Sequence, residues 1–401
     1  MLRPDTFALT ALLAVLTAIG PLSVDLYLPS LPEIGRALGA GTAEVQLTIS
    51  SYLIGFAAGQ IVDGPVSDLY GRKRVLLAAL VVFCVATFAC AFAPTIGALI
   101  AARTVQAIGA SGAVVLARAV VRDLYSGARA GRELSLMAMI MGIAPVVAPT
   151  IGSLLQTAFG WRACFLFVLA AGLLSFYVVW RLLPETLRQK RRDGFALPEL
   201  LGAYALVGRH RAFLAYLALV TTSFAGLFAF ISGSPFVLQD FFGLSPIGFG
   251  LAFAIASVGY VAGTMLASQL VMRIGIDRVI GLGAIALCLG GLAALATAAL
   301  VPASTAGFLL PMTLYMAGIG LAMPQALAGA LHPFPRHAGT ASSLVGFTQQ
   351  SFAAIAGAVV GHLLATTAWP LVIVVALGGC ATLAIWIATR GVRAAASGKA
   401  M

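Results

Sequence analysis

Long apolar segments separated by short polar connections run along the whole chain. Twelve of them reach about 20 residues, the length that an α-helix needs to cross ~30 Å of hydrocarbon. The predicted segments cover residues 7–28, 44–62, 75–93, 95–120, 134–157, 161–182, 212–237, 247–271, 279–300, 304–329, 339–364 and 369–389. The pattern therefore predicts an all-α polytopic membrane protein with twelve transmembrane helices.

The composition agrees with this fold class, and the sequence lacks the common motifs for metal and nucleotide binding. Hydrophobic residues make up 61% of the 401 positions and charged residues 9%, whereas soluble proteins are apolar at only about half of their positions. The sequence has no C-x-x-C pair, no zinc-protease histidine spacing and no G-x-x-x-x-G-K phosphate loop. We expect no metal and no other cofactor, and a membrane enzyme or redox subunit is the least favoured function.

The formal net charge of +11 follows a membrane topology. If both termini are cytoplasmic, nearly all of the 24 lysines and arginines fall in cytoplasmic connections, as the positive-inside rule requires. We therefore expect a multi-pass protein of the bacterial inner membrane that contacts lipid and does not bind nucleic acid.

A polar connection near the midpoint divides the apolar segments into two groups of six. The sequence predicts an N-terminal half at 1–183, a cytoplasmic linker at 184–211 and a C-terminal half at 212–401. The turn between the second and third segments of each half recurs weakly, because Gly71 and Arg74 align with Gly275 and Arg278. Two six-helix halves around a central cavity are typical of transporters that alternate access.

The most densely charged turn lies between the second and third segments. Its glycine, acidic and basic residues are Gly64, Asp68, Gly71, Arg72, Lys73 and Arg74. Glycines permit a tight turn and close helix approach, and an acid can pair with a helix N-terminus or with nearby cations. The spacing resembles the loop between helices two and three of the major facilitator transporters, although Leu69 stands where that pattern has a cation. The resemblance implies a cytoplasmic latch that forms or breaks as the halves move.

Two charges inside the predicted spans are candidates for a buried pair. Arg103 lies in the fourth segment, where an unpaired arginine costs at least a few kcal/mol. Asp25 lies near the outer end of the first segment, and a rise of 1.5 Å per residue places both at depths that an arginine side chain can bridge. Such a pair suits proton coupling, because the charge of the acid can be switched by conformation or by a cationic ligand. The alternatives are that Asp25 is a hydrated structural acid and that Asp63 is the titratable site.

The fifth segment contains two prolines between two glycines, at Gly142, Pro145, Pro149 and Gly152. The prolines should bend the helix by deleting backbone hydrogen bonds, and the glycines should allow a neighbouring helix to approach closely. The segment resembles the glycine–proline signature of antiporters within the superfamily. An ordinary kinked packing helix is the alternative.

Several segments together resemble the Bcr/CflA group of drug-resistance transporters. They are residues 24–32, 64–68, 103–106, 118–125, 234–239 and 242–246. The resemblance implies the twelve-helix fold over essentially the whole chain and export of antibiotics in exchange for protons. It also implies that Asp123 pairs with the basic cluster that begins at Arg72.

Polar, aromatic and methionine side chains on spans expected to line a cavity are the candidates for substrate contact. They are Tyr52, Phe56, Gln106, Met137, Met141, Phe224, Phe228, Tyr260, Tyr315 and Gln349. Their character favours a lipophilic small-molecule drug. Export of an endogenous metabolite, such as an amino acid, peptide or sugar, is the alternative within the same fold. We expect the chain to work as a monomer.

Overall fold

The computed structural model describes residues 6–125, 127–187, 197–302, 304–334, 338–363 and 367–398. The α-helices in these ranges are α1 (Phe7–Asp25), α2 (Leu31–Leu38), α3 (Thr42–Tyr70), α4 (Arg72–Ala91), α5 (Ile96–Leu124), α6 (Gly127–Phe159), α7 (Arg162–Leu182), α8 (Leu197–Gly208), α9 (Arg211–Phe236), α10 (Pro246–Ile274), α11 (Ile276–Leu300), α12 (Thr305–Leu331), α13 (Ala338–Leu363), α14 (Trp369–Ala388) and α15 (Arg390–Gly398).

The predicted fold class is confirmed. Within the described ranges, eleven helical segments are long and apolar enough to cross a membrane, and α6 contributes a shorter apolar stretch at Ala144–Phe159. Each of the twelve predicted segments corresponds to one of these helices. Several helices continue past the predicted apolar segment into polar residues, because a helix need not end where the hydrocarbon ends. Thus α3 runs to Tyr70, although its predicted apolar segment ended at residue 62.

The chain divides into two compact units. Unit 1 comprises Met1–Ala196 and contains α1–α7, and unit 2 comprises Leu197–Met401 and contains α8–α15. The division falls inside the predicted linker at 184–211. The short helix α8 packs on α9 and α13, so the second part of that linker belongs to unit 2.

The six spans of each unit follow one packing scheme. In unit 1, α3 packs on α5, α4 packs on α5 and α7, and α1 packs on α5, α6 and α7. In unit 2, α10 packs on α12, α11 packs on α12 and α14, and α9 packs on α12, α13 and α14. Each contact in the first unit has its counterpart in the second when α9 takes the place of α1.

The connection after α1 positions several functional side chains. The first helix ends at Asp25, a 3₁₀ turn follows at Leu28–Ser30, and α2 begins at Leu31. Pro29 and Pro32 occupy the first turns of these two elements, where the missing proline N–H costs nothing. The short α2 ends at Gly39, which has a φ of +62°, the left-handed conformation that favours glycine.

The charged stretch between the second and third spans is not the loop that the sequence predicts. Residues Gly64–Tyr70 belong to α3, α4 begins at Arg72, and Gly71 alone connects the two helices. Gly71 makes the corner because its φ of +101° and ψ of 147° are almost exclusive to glycine. Gly64 takes no part in the turn, and a Cβ built there would meet no atom within 4 Å.

Candidate functional site

Arg103 lies completely buried in unit 1, at 0% exposure. Its Nη1 donates to the carbonyl oxygen of Ser23 at 2.9 Å and to Oε1 of Gln106 at 2.5 Å. Its Nε and Nη2 have no hydrogen-bond partner among the described residues. The guanidinium charge is therefore held by a backbone carbonyl and an amide.

Two tyrosine rings lie against this cation. The Cζ of Arg103 lies 4.4 Å from the ring centroid of Tyr27 and 4.2 Å from that of Tyr52, distances at which the ring quadrupole attracts a cation. Hydrogen bonds fix both rings, because the Tyr27 hydroxyl lies 3.0 Å from Oγ1 of Thr48 and the Tyr52 hydroxyl donates to the Gly20 carbonyl at 3.2 Å. We call Ser23, Tyr27, Tyr52, Arg103 and Gln106 the Arg103 cluster.

Gln106 connects this cluster to a neighbouring helix. Its Oε1 accepts from Arg103, while its Nε2 donates to Oγ1 of Thr87 on α4 at 2.8 Å. Thr87 in turn donates to the Phe83 carbonyl at 2.6 Å. A chain of hydrogen bonds thus runs from α1 through α5 to α4, and it gives Gln106 a positioning contact rather than an open substrate-facing surface.

The structure does not form the predicted ion pair between Asp25 and Arg103. Both side chains are buried in unit 1, with Asp25 at 4% exposure. Within the described residues, Asp25 makes no ion pair and no hydrogen bond through its carboxylate. The depth argument placed the two charges in the same region, but Arg103 uses the Ser23 carbonyl two residues before Asp25 instead.

The predicted antiporter helix packs directly against this region. A Cβ built at Gly152 of α6 would overlap the carbonyl oxygen of Leu26, the residue after Asp25. The glycine therefore allows α6 to touch the chain at the end of α1. At the other end of α6, Oε2 of the buried Glu133 accepts from Oγ1 of Thr10 on α1 at 2.7 Å. Pro145 and Pro149 lie inside α6 between these contacts, whereas the side-chain environment at Gly142 lies outside the described residues.

The corner between α3 and α4 is a network of charges in unit 1. Arg72 pairs with Oδ1 of Asp68 at 2.6 Å and with Oδ2 of Asp123 at 2.9 Å. It also donates to Oγ of Ser67 at 2.5 Å. The structure thus brings Asp123 at the end of α5 onto the basic cluster, as the resemblance implied. Arg74 is exposed.

Glu185, which follows α7, is a member of this corner that sequence reasoning missed. Its carboxylate accepts from the backbone N–H groups of Arg72 at 2.9 Å and Lys73 at 3.3 Å. An acid at this place satisfies unpaired N–H groups of α4 and is favoured by the helix dipole. Lys73 in turn donates through Nζ to the Trp180 carbonyl at 2.9 Å. Because Glu185 is more than a hundred residues from Arg72, no local pattern indicated the contact.

Unit 2 carries a related corner between α10 and α11. Gly275 has a φ of +83° and precedes the first turn of α11. Oδ1 of Asp277 in that turn pairs with Nε of Arg393 at 2.6 Å. Arg393 is buried on α15 and also donates to the Trp386 carbonyl at 2.8 Å. The segment after the last span of each unit therefore contacts the start of the unit's third span.

The other candidates for substrate contact have different surroundings within their own units. In unit 1, Phe56 lies beside Tyr52, with ring centroids 6.2 Å apart, and Met137 is buried. In unit 2, Phe224 and Phe228 form a pair at 4.7 Å on α9. Tyr260 and Gln349 are half-buried on α10 and α13. The Met141 side chain lies outside the described residues.

Tyr315 differs from the expectation for a cavity residue. It is at 0% exposure inside unit 2, and a Cβ built at Gly226 of α9 would overlap its hydroxyl oxygen. That oxygen also lies 3.1 Å from a Cβ built at Gly378 of α14. The ring therefore fills the interior between α9, α12 and α14, where glycines leave room for it.

These features define a class of membrane protein, a transporter-like assembly of two units that each contain six packed spans. The sequence model of the Major Facilitator Superfamily matches residues 13–358. The chain belongs to the Major Facilitator Superfamily.

Two relatives support the resemblance to the Bcr/CflA group. The chain is 30% identical over 392 residues to a bicyclomycin resistance protein homolog of Haemophilus influenzae, which covers 96% of each chain. It is also 30% identical over 389 residues to multidrug resistance protein D of Escherichia coli, covering 96% of this chain and 97% of that one. The resemblance to the Bcr/CflA group is thereby confirmed.

A solved structure supports the fold alone. The partially occluded inward-open xylose transporter XylE of Escherichia coli matches with a TM-score of 0.73 at 16% identity. The match covers 96% of this chain and 97% of that chain. At that identity the similarity shows that the helices are arranged alike, and it says nothing about the substrate.

Proposed function

We propose that this protein is a proton-coupled antiporter that exports antibiotics or other lipophilic small molecules across the bacterial inner membrane. The observation that carries the proposal is the Arg103 cluster, in which a buried cation contacts the Ser23 carbonyl, two residues before the buried carboxylate of Asp25, which forms no ion pair among the described residues. Charges inside membrane spans are costly and mark ion or substrate pathways. The names of the bicyclomycin and multidrug resistance relatives support the class of substrate.

In this proposal Asp25 carries the exchanged proton and Arg103 controls it. Ser23 and Tyr27, which contact Arg103, flank Asp25 on either side in sequence. A change in the position of the guanidinium would therefore change the electrostatic environment of the acid. Gly152 couples a movement of this region to α6, because it packs on Leu26, the residue after Asp25.

The corner between α3 and α4 acts as the conformational latch. Its ion pairs Arg72–Asp68 and Arg72–Asp123 and the Glu185 contact join the ends of α3, α4 and α5 to the segment that follows α7. We place this corner and both termini on the cytoplasmic side, following the positive-inside rule. The protein acts as a monomeric transporter rather than as an enzyme, is driven by the proton gradient and needs no cofactor.

Transport by purified protein in proteoliposomes tests the proposal. An imposed pH gradient should drive bicyclomycin or another antibiotic from a susceptibility screen against its concentration gradient, and a protonophore should abolish this. Asp25→Asn should lose gradient-driven transport while retaining the folded monodisperse state. Glu44→Gln is the control, because Glu44 is an exposed acid that accepts from the Gly41 N–H at the start of α3. Undiminished transport by the Asp25 variant would refute the coupling role.

A further inference from the structure

A second carboxylate lies inside a span of unit 1, away from the Arg103 cluster and outside the charged corner. Asp63 is half-buried on α3, seven residues before the helix ends, which is about 10 Å along its axis. Its Oδ2 lies 2.6 Å from Oγ of Ser111 on α5. The partner of Asp63 is therefore a buried hydroxyl on α5 rather than a cation of the charged corner.

Charged groups on α3, α4 and α5 flank this stretch of the span. They are Asp68 on α3, Arg72, Lys73 and Arg74 on α4, and Arg103, Arg118, Arg122 and Asp123 on α5. Toward its N-terminal half, α3 also contacts α2, where Gly35 faces Val45, and α1, whose charged residue is Asp25 and whose Gly20 carbonyl accepts from Tyr52. Among the residues that the structure describes, none forms an ion pair with Asp63. An ionisable group in a span without a charged partner is a candidate functional site by default.

The hydroxyl of Ser111 is placed to serve both protonation states of Asp63. Its Oγ lies within hydrogen-bond distance of two acceptors, Asp63 Oδ2 at 2.6 Å and the Ile108 carbonyl at 2.8 Å. A hydroxyl has one proton to donate and lone pairs to accept with. When Asp63 is ionised, Ser111 donates to it. When a proton binds, the new O–H of Asp63 donates to Ser111, and Ser111 donates to Ile108.

Two glycines shape the space around this pair. A Cβ at Gly59 would overlap Ser111 Oγ, and a Cβ at Gly112 would lie 2.5 Å from the Cβ of Ala79 and 3.5 Å from Asp63 Oδ1. The close approach of α3 to α5 therefore holds the two oxygens at a fixed separation. One turn before Asp63, Gln60 has a buried Oε1 with no hydrogen-bond partner in the described chain, an acceptor free for a protonated group.

We propose that Asp63 and Ser111 form a second proton-binding site in unit 1, in which one proton binds reversibly to the Asp63 carboxylate and the Ser111 hydroxyl reverses its hydrogen bond. The inference rests on the proposed proton-coupled function, because it supplies a second carrier for the exchanged protons. It involves no redox change and needs no other reactant.

Infrared difference spectroscopy of the purified protein tests the site without any substrate. A pH titration should show the carbonyl stretch of a protonated carboxyl. In an Asp25→Asn background, Asp63→Asn should remove the remaining band, and Ser111→Ala should shift its frequency and its midpoint pH without removing it. Asn keeps the size and hydrogen-bonding capacity of Asp63, so the folded state should survive. A band that is absent from the Asp25→Asn protein, or that persists after Asp63→Asn, would overturn the proposal.

Measurements of proton exchange distinguish a failure of the Asp63 site from a failure of the proposed antiport. Proteoliposomes of wild type and Asp63→Asn should differ in the pH dependence of export, with the variant losing one titrating step. If the wild type exports drug without consuming the pH gradient, the proposed antiport fails whatever the spectrum shows. If the wild type exchanges protons but Asp63→Asn keeps the same spectrum and pH profile, only the second site fails.

Discussion

Arg103 is a buried cation that the unit stabilises without an acid. Hydrogen bonds from Nη1 to Ser23 and Gln106 and contacts with the rings of Tyr27 and Tyr52 surround it. Burying an unpaired charge is costly, so the arrangement needs a reason other than stability. The Nε and Nη2 groups of Arg103 have no hydrogen-bond partner in the described chain. They can donate hydrogen bonds in another conformation of the site.

Replacing Arg103 tests this interpretation. Arg103→Ala removes the donor to the Ser23 carbonyl and leaves Gln106 Oε1 with the weak Cys90 thiol donor at 3.9 Å. We expect a loss of about 1–3 kcal/mol of unfolding free energy together with loss of transport. Arg103→Lys keeps the charge but not the planar group that lies against two rings, so it should recover stability better than transport. Thermal unfolding in detergent and proteoliposome transport measure the two effects. Arg74→Ala, at an exposed position, should change neither stability nor fold.

At the residue scale, the sequence predicted which residues belong to the site better than it predicted which groups they contact. The burial of Arg103 and the Arg72–Asp123 pair followed from membrane spans and a family resemblance, whereas Gln106 was predicted as a substrate contact and instead accepts from Arg103. The Ser23 carbonyl could not be predicted, because a backbone acceptor leaves no signature in the sequence. Glu185 was missed for a related reason, since its partner N–H groups lie on a helix far away in the chain.

At the scale of elements, the contact between α6 and the end of α1 decides how the candidate antiporter helix acts. Gly152 packs on the Leu26 carbonyl, and Cys164 of α7 donates through its thiol to the Gly152 carbonyl at 3.6 Å. The apolar periodicity predicted that α6 exists and that Pro145 and Pro149 lie within it. It could not predict which backbone the glycine would face, because that depends on helix rotation.

Gly152→Ala should separate packing from helix propensity. An alanine in a helix interior normally adds up to about 1 kcal/mol of stability relative to glycine. At Gly152 the added methyl overlaps a backbone carbonyl that cannot rotate away, so we expect a loss of about 1–3 kcal/mol and reduced transport. Gly64→Ala is the matched control, because its Cβ meets no atom within 4 Å. Equal unfolding temperatures for both variants would contradict the packing role of Gly152.

At the scale of the whole molecule, the two units repeat one packing scheme and one kind of corner. Gly71 and Gly275 both have positive φ and start the third span of their unit. The charges at the two corners are reversed, since an acid, Glu185, contacts the start of α4 and a cation, Arg393, contacts Asp277 of α11. The alignment of Gly71 and Arg74 with Gly275 and Arg278 was a weak trace of this repeat in the sequence, because packing schemes persist where side chains diverge.

The two corner glycines give a paired prediction. Any side chain in these backbone conformations costs about 1–3 kcal/mol, so Gly71→Ala and Gly275→Ala should both destabilise the protein. Gly71→Ala should cost more, because its Cβ would lie 2.5 Å from Oε2 of Glu185, whereas the Cβ at Gly275 meets no atom within 4 Å. The excess should be about 0.5–2 kcal/mol, the usual cost of losing a helix cap.

A double-mutant cycle isolates the cause of that excess. In a Glu185→Ala background the carboxylate is already absent, so Gly71→Ala should cost no more than Gly275→Ala, whose value should not depend on residue 185. Unfolding of the wild type, Gly71→Ala, Glu185→Ala and the double variant in one detergent provides the coupling energy directly. An excess at Gly71 that survives in the Glu185→Ala background would show that the backbone strain differs between the corners and that Glu185 does not cap α4.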